Sequence, residues 1–139
     1  MRDRDTGNTD PEGDTDPGRD TDPPGRDLAR RARGRWGEDL AARHYRRAGF
    51  QVIDRNWRCR HGEIDLVVQR GRLLVFCEVK TRRTAAYGGP RSAVDARKQH
   101  RIRRLAAAWL ASHDVRGVDV RFDVAAITGV RLELIESAF

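Results

Sequence analysis

The apolar positions change period along the chain. Trp36, Leu40, Ala41, His44 and Tyr45 recur at helical spacing, and Gly49 is a suitable stop, so a helix is predicted near residues 34–48. Phe50, Val52 and Ile53, leading into Asn56-Trp57, then read as a strand. Gly62-Glu63-Ile64-Asp65-Leu66-Val67-Val68 is a second strand and Leu73–Val79 a third, with Gly71 in the turn of a hairpin between them. Residues 81–91, TRRTAAYGGPR, read as a basic loop broken by Gly88-Gly89-Pro90. A long helix is expected from about Ser92 to His113, with Ser92, Ala93 or Asp95 marking its start. Its apolar stripe is Ile102, Leu105, Ala106, Trp109 and Leu110, and its other face carries Arg97, Lys98, Arg101 and Arg104. Strands over Val118–Ile127 and Val130–Ile135 complete the pattern. The order α-β-β-β-α-β-β predicts an α/β fold, a mixed β-sheet flanked by helices rather than a doubly wound parallel sheet.

Residues 1–27 are different in kind. They contain no Val, Ile, Leu or aromatic residue, and the fragment Thr-Asp-Pro recurs at Thr9–Pro11, Thr15–Pro17 and Thr21–Pro23. Such a segment buries too little apolar surface to offset the entropy of ordering, so it is expected to be a disordered acidic tail. The folded domain is then residues 28–139. A dispensable extension is the simpler reading of the tail; an acidic arm competing with nucleic acid is the functional one.

Separating the two segments changes the reading of charge. The formal net charge of +7 combines a tail of nine acidic and four basic side chains with a domain of 24 basic and 12 acidic ones. That excess on so small a domain points to a polyanionic partner, most simply nucleic acid, against the alternative of an arginine-rich surface set by genome base composition. The sequence has no apolar run of about 18 residues, the length expected of a membrane helix, and its N-terminus lacks the apolar segment of a signal peptide. Cys59 and Cys77 do not make a disulfide framework, and Cys59 with His61 lacks the second pair that a structural zinc needs. A cytoplasmic protein with no membrane partner is expected.

Four charged residues interrupt the two most apolar strands. Glu63 and Asp65 share one face of the second strand, and Glu78 and Lys80 share one face of the third. With Arg70-Gly71 as a two-residue turn, Gln69 pairs with Arg72, Asp65 lies opposite Phe76, and Glu63 lies opposite Glu78. All four charges then fall on one face, with Asp65 diagonal to Glu78. Carboxylates gathered in this way repel one another and call for a cation, whereas a one-residue slip would send the two pairs to opposite faces. Magnesium, which takes one or two carboxylates and completes its shell with water and phosphate, suits such a site. Lysine usage adds to the case: of 28 basic residues only Lys80 and Lys98 are lysines, so a lysine at position 80 looks like a specific requirement for a compact charge.

The segments G-E-I-D-L at 62–66 and F-C-E-V-K-T-R at 76–82 resemble the PD-(D/E)XK nuclease superfamily. More closely, the chain resembles the YraN family of uncharacterised, endonuclease-like bacterial proteins. The segments that carry this are G-R-W-G-E at 34–38, N-W-R-C-R-H-G-E-I-D-L at 56–66, V-F-C-E-V-K-T-R at 75–82, G-G-P-R-S-A-V-D-A-R-K-Q at 88–99 and R-F-D-V at 121–124. The resemblance implies a restriction-endonuclease-like core. By position, Asp65 and Glu78 match metal-binding acids, Lys80 the catalytic lysine, and Glu38 an acid that Holliday junction resolvase-like members add to the site. Lys98 or Gln99 sits where some members place a helical polar residue near the phosphate. Ile64 replaces the proline of the superfamily's name, and Glu63 has no firm role there. Arg82, Arg83 and Arg91 flank the site on the basic loop and are expected to contact phosphates. The resemblance thus implies a Mg²⁺- or Mn²⁺-dependent hydrolase of phosphodiester bonds in DNA, favoured over RNA, with branched DNA as a candidate substrate. Its alternative is a non-catalytic nucleic-acid-binding module with a vestigial site. Resolvase-like enzymes often act as dimers, which makes a homodimer one candidate state, although no clear apolar dimer surface stands out.

Overall fold

The computed structural model describes residues 24–82 and 95–139, with the side chains of its first helix from Gly34 onward. Its elements are α1 (Pro24–Arg47), β1 (Gln51–Cys59), β2 (Gly62–Arg70), β3 (Leu73–Arg82), α2 (Ala96–His113), β4 (Asp119–Thr128) and β5 (Arg131–Ile135), the expected order. Helix α1 begins ten residues earlier than its apolar stripe predicts and takes in the last four residues assigned to the tail. Leu28, Ala29, Arg30, Arg31 and Ala32 are strong helix formers, and Pro24 in the first turn has no amide to satisfy, so the helix needs no apolar face there. The start of α2 resolves in favour of Asp95, whose carboxylate accepts the amide of Lys98 at 2.8 Å. Ser92, Ala93, Arg83, Tyr87 and Arg91 lie outside the described residues.

The five strands form one mixed sheet in the order β1-β2-β3-β4-β5. Neighbours are antiparallel except β3 and β4, which run parallel because α2 returns the chain between them. Helix α1 packs on one face, where Ala41, Ala42 and Tyr45 meet Leu66, Val68, Val75, Cys77 and Ala125. Helix α2 packs on the other, where Leu105, Ala106 and Trp109 meet Ile64, Val67, Leu74 and Phe76. Trp36, assigned to the inner stripe of α1, is instead 42% exposed. Cys77 is buried, as its alternation with Glu78 implies.

The β2–β3 turn corrects the expected register. Arg70 pairs with Leu73 and Gln69 with Leu74, so the loop is Gly71-Arg72 rather than Arg70-Gly71. Gly71 has φ +59°, and a glycine that supplies positive φ at the first loop position shifts the pairing by two residues. An even shift preserves the faces of both strands. It brings Asp65 level with Glu78 instead of diagonal to it.

Candidate functional site

The site forms where the sheet stops being regular. The β2–β3 ladder ends at Leu66↔Cys77, so Asp65 and Glu78, which would pair next, fall where the strands part. On β2, Leu66 and Val68 face α1 while Ile64 faces α2, so the side-chain alternation breaks at Asp65. On β1, Asn56 falls between the pairs Arg55↔Leu66 and Trp57↔Ile64, level with Asp65, and adopts φ +52°, a conformation that asparagine tolerates better than most residues. The Asp65 carboxylate closes part of the gap: its Oδ2 accepts the backbone amide of Val79 at 2.9 Å.

Helix α1 delivers Glu38 to the same place. A methyl group at Gly37 would overlap the Thr81 methyl and crowd Ile127, so the glycine lets the helix lie directly on β3 and β4. Glu38 is only 9% exposed, and its carboxylate accepts Nδ2 of Asn56 at 2.8 Å, with the Arg55 guanidinium 3.8 Å away. Glu63 pairs with Arg58 at 3.2 Å. The four charges expected on one flat face are therefore distributed around a kink. Glu38 and Glu63 line a groove between α1 and the β1–β2 hairpin, while Glu63, Asp65 and Glu78 line a cavity of about 270 Å³ between the sheet and α2.

The electrostatics follow from this crowding. Burial, together with the negative charges of Glu78, Glu38 and Glu63, pushes the Asp65 carboxyl up to about 7, against the opposing effect of the Val79 amide. The two lysines of the chain converge here. Lys98, from the first turn of α2, lies 2.9 Å from Oε1 of Glu78, and Lys80 stands close enough that its proton affinity is lowered, first by the Lys98 charge and then by burial. Arg101 lines the cavity beside Glu78, and Asp95, Arg97, Lys98 and Arg101 border a further pocket that shares Arg101 with it. Arg82 closes β3 and is half-buried, as is Gln99 on α2.

Sequence reasoning missed Asn56 as the side chain that holds Glu38, and it treated Arg101 as an ordinary outer-face residue. Asn56 stands in the N-W-R-C-R-H-G-E-I-D-L segment, but its role depends on a left-handed backbone that no pattern announces. Among the described residues, no three carboxylate, imidazole or thiolate groups close around one point as a finished metal cage. The available donors are carboxylate oxygens, the chemistry that magnesium and manganese prefer.

The fold and site define a small α/β protein with a carboxylate–lysine pocket at a split in a mixed sheet. Residues 37–127 match the model of the uncharacterised protein family UPF0102, and the chain belongs to that family, in agreement with the YraN resemblance. It is similar to a UPF0102 protein of Frankia casuarinae, 57% identical over 116 residues that cover 80% of this chain and 98% of the relative. A UPF0102 protein of Geobacter sulfurreducens is 51% identical over 108 residues, covering 74% and 84%. No helix among the described residues is long and apolar enough to cross a membrane.

Proposed function

We propose that this protein is a metal-dependent endonuclease-like phosphodiesterase acting on DNA, with branched DNA among its substrates. The observation that carries the proposal is the meeting of Asp65 and Glu78 at the strand split, beside Lys80 and under the basic N-terminal turns of α2. A carboxylate that burial and three neighbouring carboxylates push up to about 7 would be stabilised in its charged form by a divalent cation.

Asp65 and Glu78 would hold Mg²⁺ or Mn²⁺, and Glu38 would complete the shell once Asn56 releases it. A cation bound there would lend Lewis-acid charge to the phosphate and acidify a water molecule. Lys80, two residues beyond Glu78 on β3, orients the attacking water and offsets charge developing on the phosphate. Arg82, Arg97, Lys98, Gln99 and Arg101 provide the phosphate-binding rim, joined by Arg83 and Arg91 of the loop. DNA rather than RNA, and a homodimer, rest on the resolvase resemblance alone.

One observation favours the non-catalytic nucleic-acid-binding module: Glu38 and Glu78 are already engaged by Asn56 and Lys98, and no three-ligand cage stands ready among the described residues. The test incubates the protein and Asp65→Asn with single-stranded, duplex, flap and four-way-junction DNA, each with Mg²⁺, Mn²⁺ or a chelator. Metal-dependent cleavage that falls at least about 10³-fold in the variant is expected, a loss of roughly 4 kcal/mol in transition-state stabilisation. Binding of every substrate without cleavage, unchanged in the variant, would leave the binding module.

A further inference from the structure

The chain has 26 arginines and two lysines, and the two lysines, 18 positions apart in sequence, come together near one carboxylate, with Lys98 in contact with it. Lys98 reaches Glu78 from α2, and Lys80 lies two residues beyond Glu78 on β3, near enough to feel the charges of both. The Lys98 and Glu78 side chains are 22% and 18% exposed, so their 2.9 Å contact is shielded from solvent, unlike a surface ion pair. Lys98 is also held in place, because its own amide closes the Asp95 cap at the start of α2. A flexible ammonium can leave such a contact without disturbing the helix that carries it, whereas a planar guanidinium holds a carboxylate in a fork.

We infer that Lys98 is the resting counter-ion of the carboxylate site: its ammonium occupies, beside Glu78, the place that a divalent cation takes, and cation binding hands the ammonium to the substrate phosphate. The inference rests on the metal-site reading above. It adds that loading of the cation and engagement of the phosphate are coupled through one side chain. Without the cation, Lys98 limits the repulsion between Glu78 and Asp65 that would otherwise open the strand split. With the cation bound, Lys98 is repelled from Glu78 toward the pocket it shares with Arg97 and Arg101. Lys80 stays with the reacting groups because β3 fixes it next to Glu78.

The test measures Mn²⁺ binding to the full chain, from the signal of the free ion in paramagnetic resonance, for the wild type, Lys98→Met, Lys98→Arg and Asp65→Asn. Circular dichroism and thermal melts confirm that each is folded. Removing a competing positive charge should tighten Mn²⁺ binding in Lys98→Met by about tenfold, the repulsion of a single and a double charge roughly 6 Å apart at a water-like dielectric near 80, while Lys98→Arg remains within about threefold of wild type by retaining the charge. Binding of a short single-stranded oligonucleotide should weaken in Lys98→Met when Ca²⁺ saturates the site, and change little in chelator. Unchanged or weaker Mn²⁺ binding in Lys98→Met overturns the counter-ion role. Equal loss of oligonucleotide binding with and without Ca²⁺ overturns the hand-over. If the wild type binds no Mn²⁺ that Asp65→Asn abolishes, the metal site itself fails, and the inference with it.

Discussion

Asp65 and Asp123 are the same residue type on strands of the same sheet, yet their surroundings are opposite. Asp123 is 1% exposed and fully served: Tyr45 Oη donates to it at 2.7 Å, Arg121 grips both oxygens at 2.9 Å, and the Ser137 amide donates at 3.1 Å. Burial raises the proton affinity of the Tyr45 phenol, so the tyrosine remains the donor. Those contacts tie α1, β4 and the segment after β5 together. Asp65 accepts the Val79 amide and faces three other carboxylates. A buried charge with its partners supplied is architecture; one buried among like charges has its proton affinity raised, the pattern that marks candidate functional sites.

The largest effect expected is at the satisfied carboxylate. Asp123→Ala leaves Arg121 with only its 3.8 Å contact to the exposed Glu136 as an ion pair and Tyr45 without its acceptor, and should cost about 3–5 kcal/mol in urea unfolding. A loss under about 1 kcal/mol would show that the network contributes little.

At Asp65 the sign should reverse. In chelator at pH 8, Asp65→Asn should stabilise the fold by something on the order of 2 kcal/mol, because the amide still accepts from Val79 and no longer repels Glu78. The folded-state pKa of about 7 lies above the unassociated 3.8, so the folded chain binds the extra proton between those values. That contribution to stability is complete below about pH 4 and is lost as pH rises through 7. The gap between variant and wild type should therefore widen from pH 5 to pH 8, and added Mn²⁺ should close it by stabilising only the wild type. A gap independent of pH would place the origin of the effect elsewhere.

Gly37→Ala should cost a similar amount, about 1–3 kcal/mol of destabilisation from overpacking against Thr81 and Ile127. It should also weaken metal-dependent cleavage, because it moves Glu38 away from the split. Destabilisation with cleavage intact would remove Glu38 from the site.

Several of these features were legible in the residues. The strands of the hairpin are apolar runs long enough to specify themselves, and a charge in such a run is visible as an exception. Asp65, Glu78 and Lys80 were identifiable for that reason. Their register was not, because Gly71 can serve either position of a two-residue turn and the flanking residues do not choose between them. The early start of α1 was hidden because good helix formers without an apolar face leave no periodic signal.

The sequence by itself determined the order of elements, the strongly basic domain and the residue types of the site, since these follow from local periodicity, propensity and charge. Only the tertiary structure decided that the ladder ends at Leu66, that Asn56 and Gly37 bring Glu38 to the split, and that Lys98 closes on Glu78. Those contacts join positions 11 to 90 residues apart, and their geometry depends on how two helices seat on opposite faces of one twisted sheet. Local pattern carries no record of that seating, because it is fixed by packing between faces and not by any one segment.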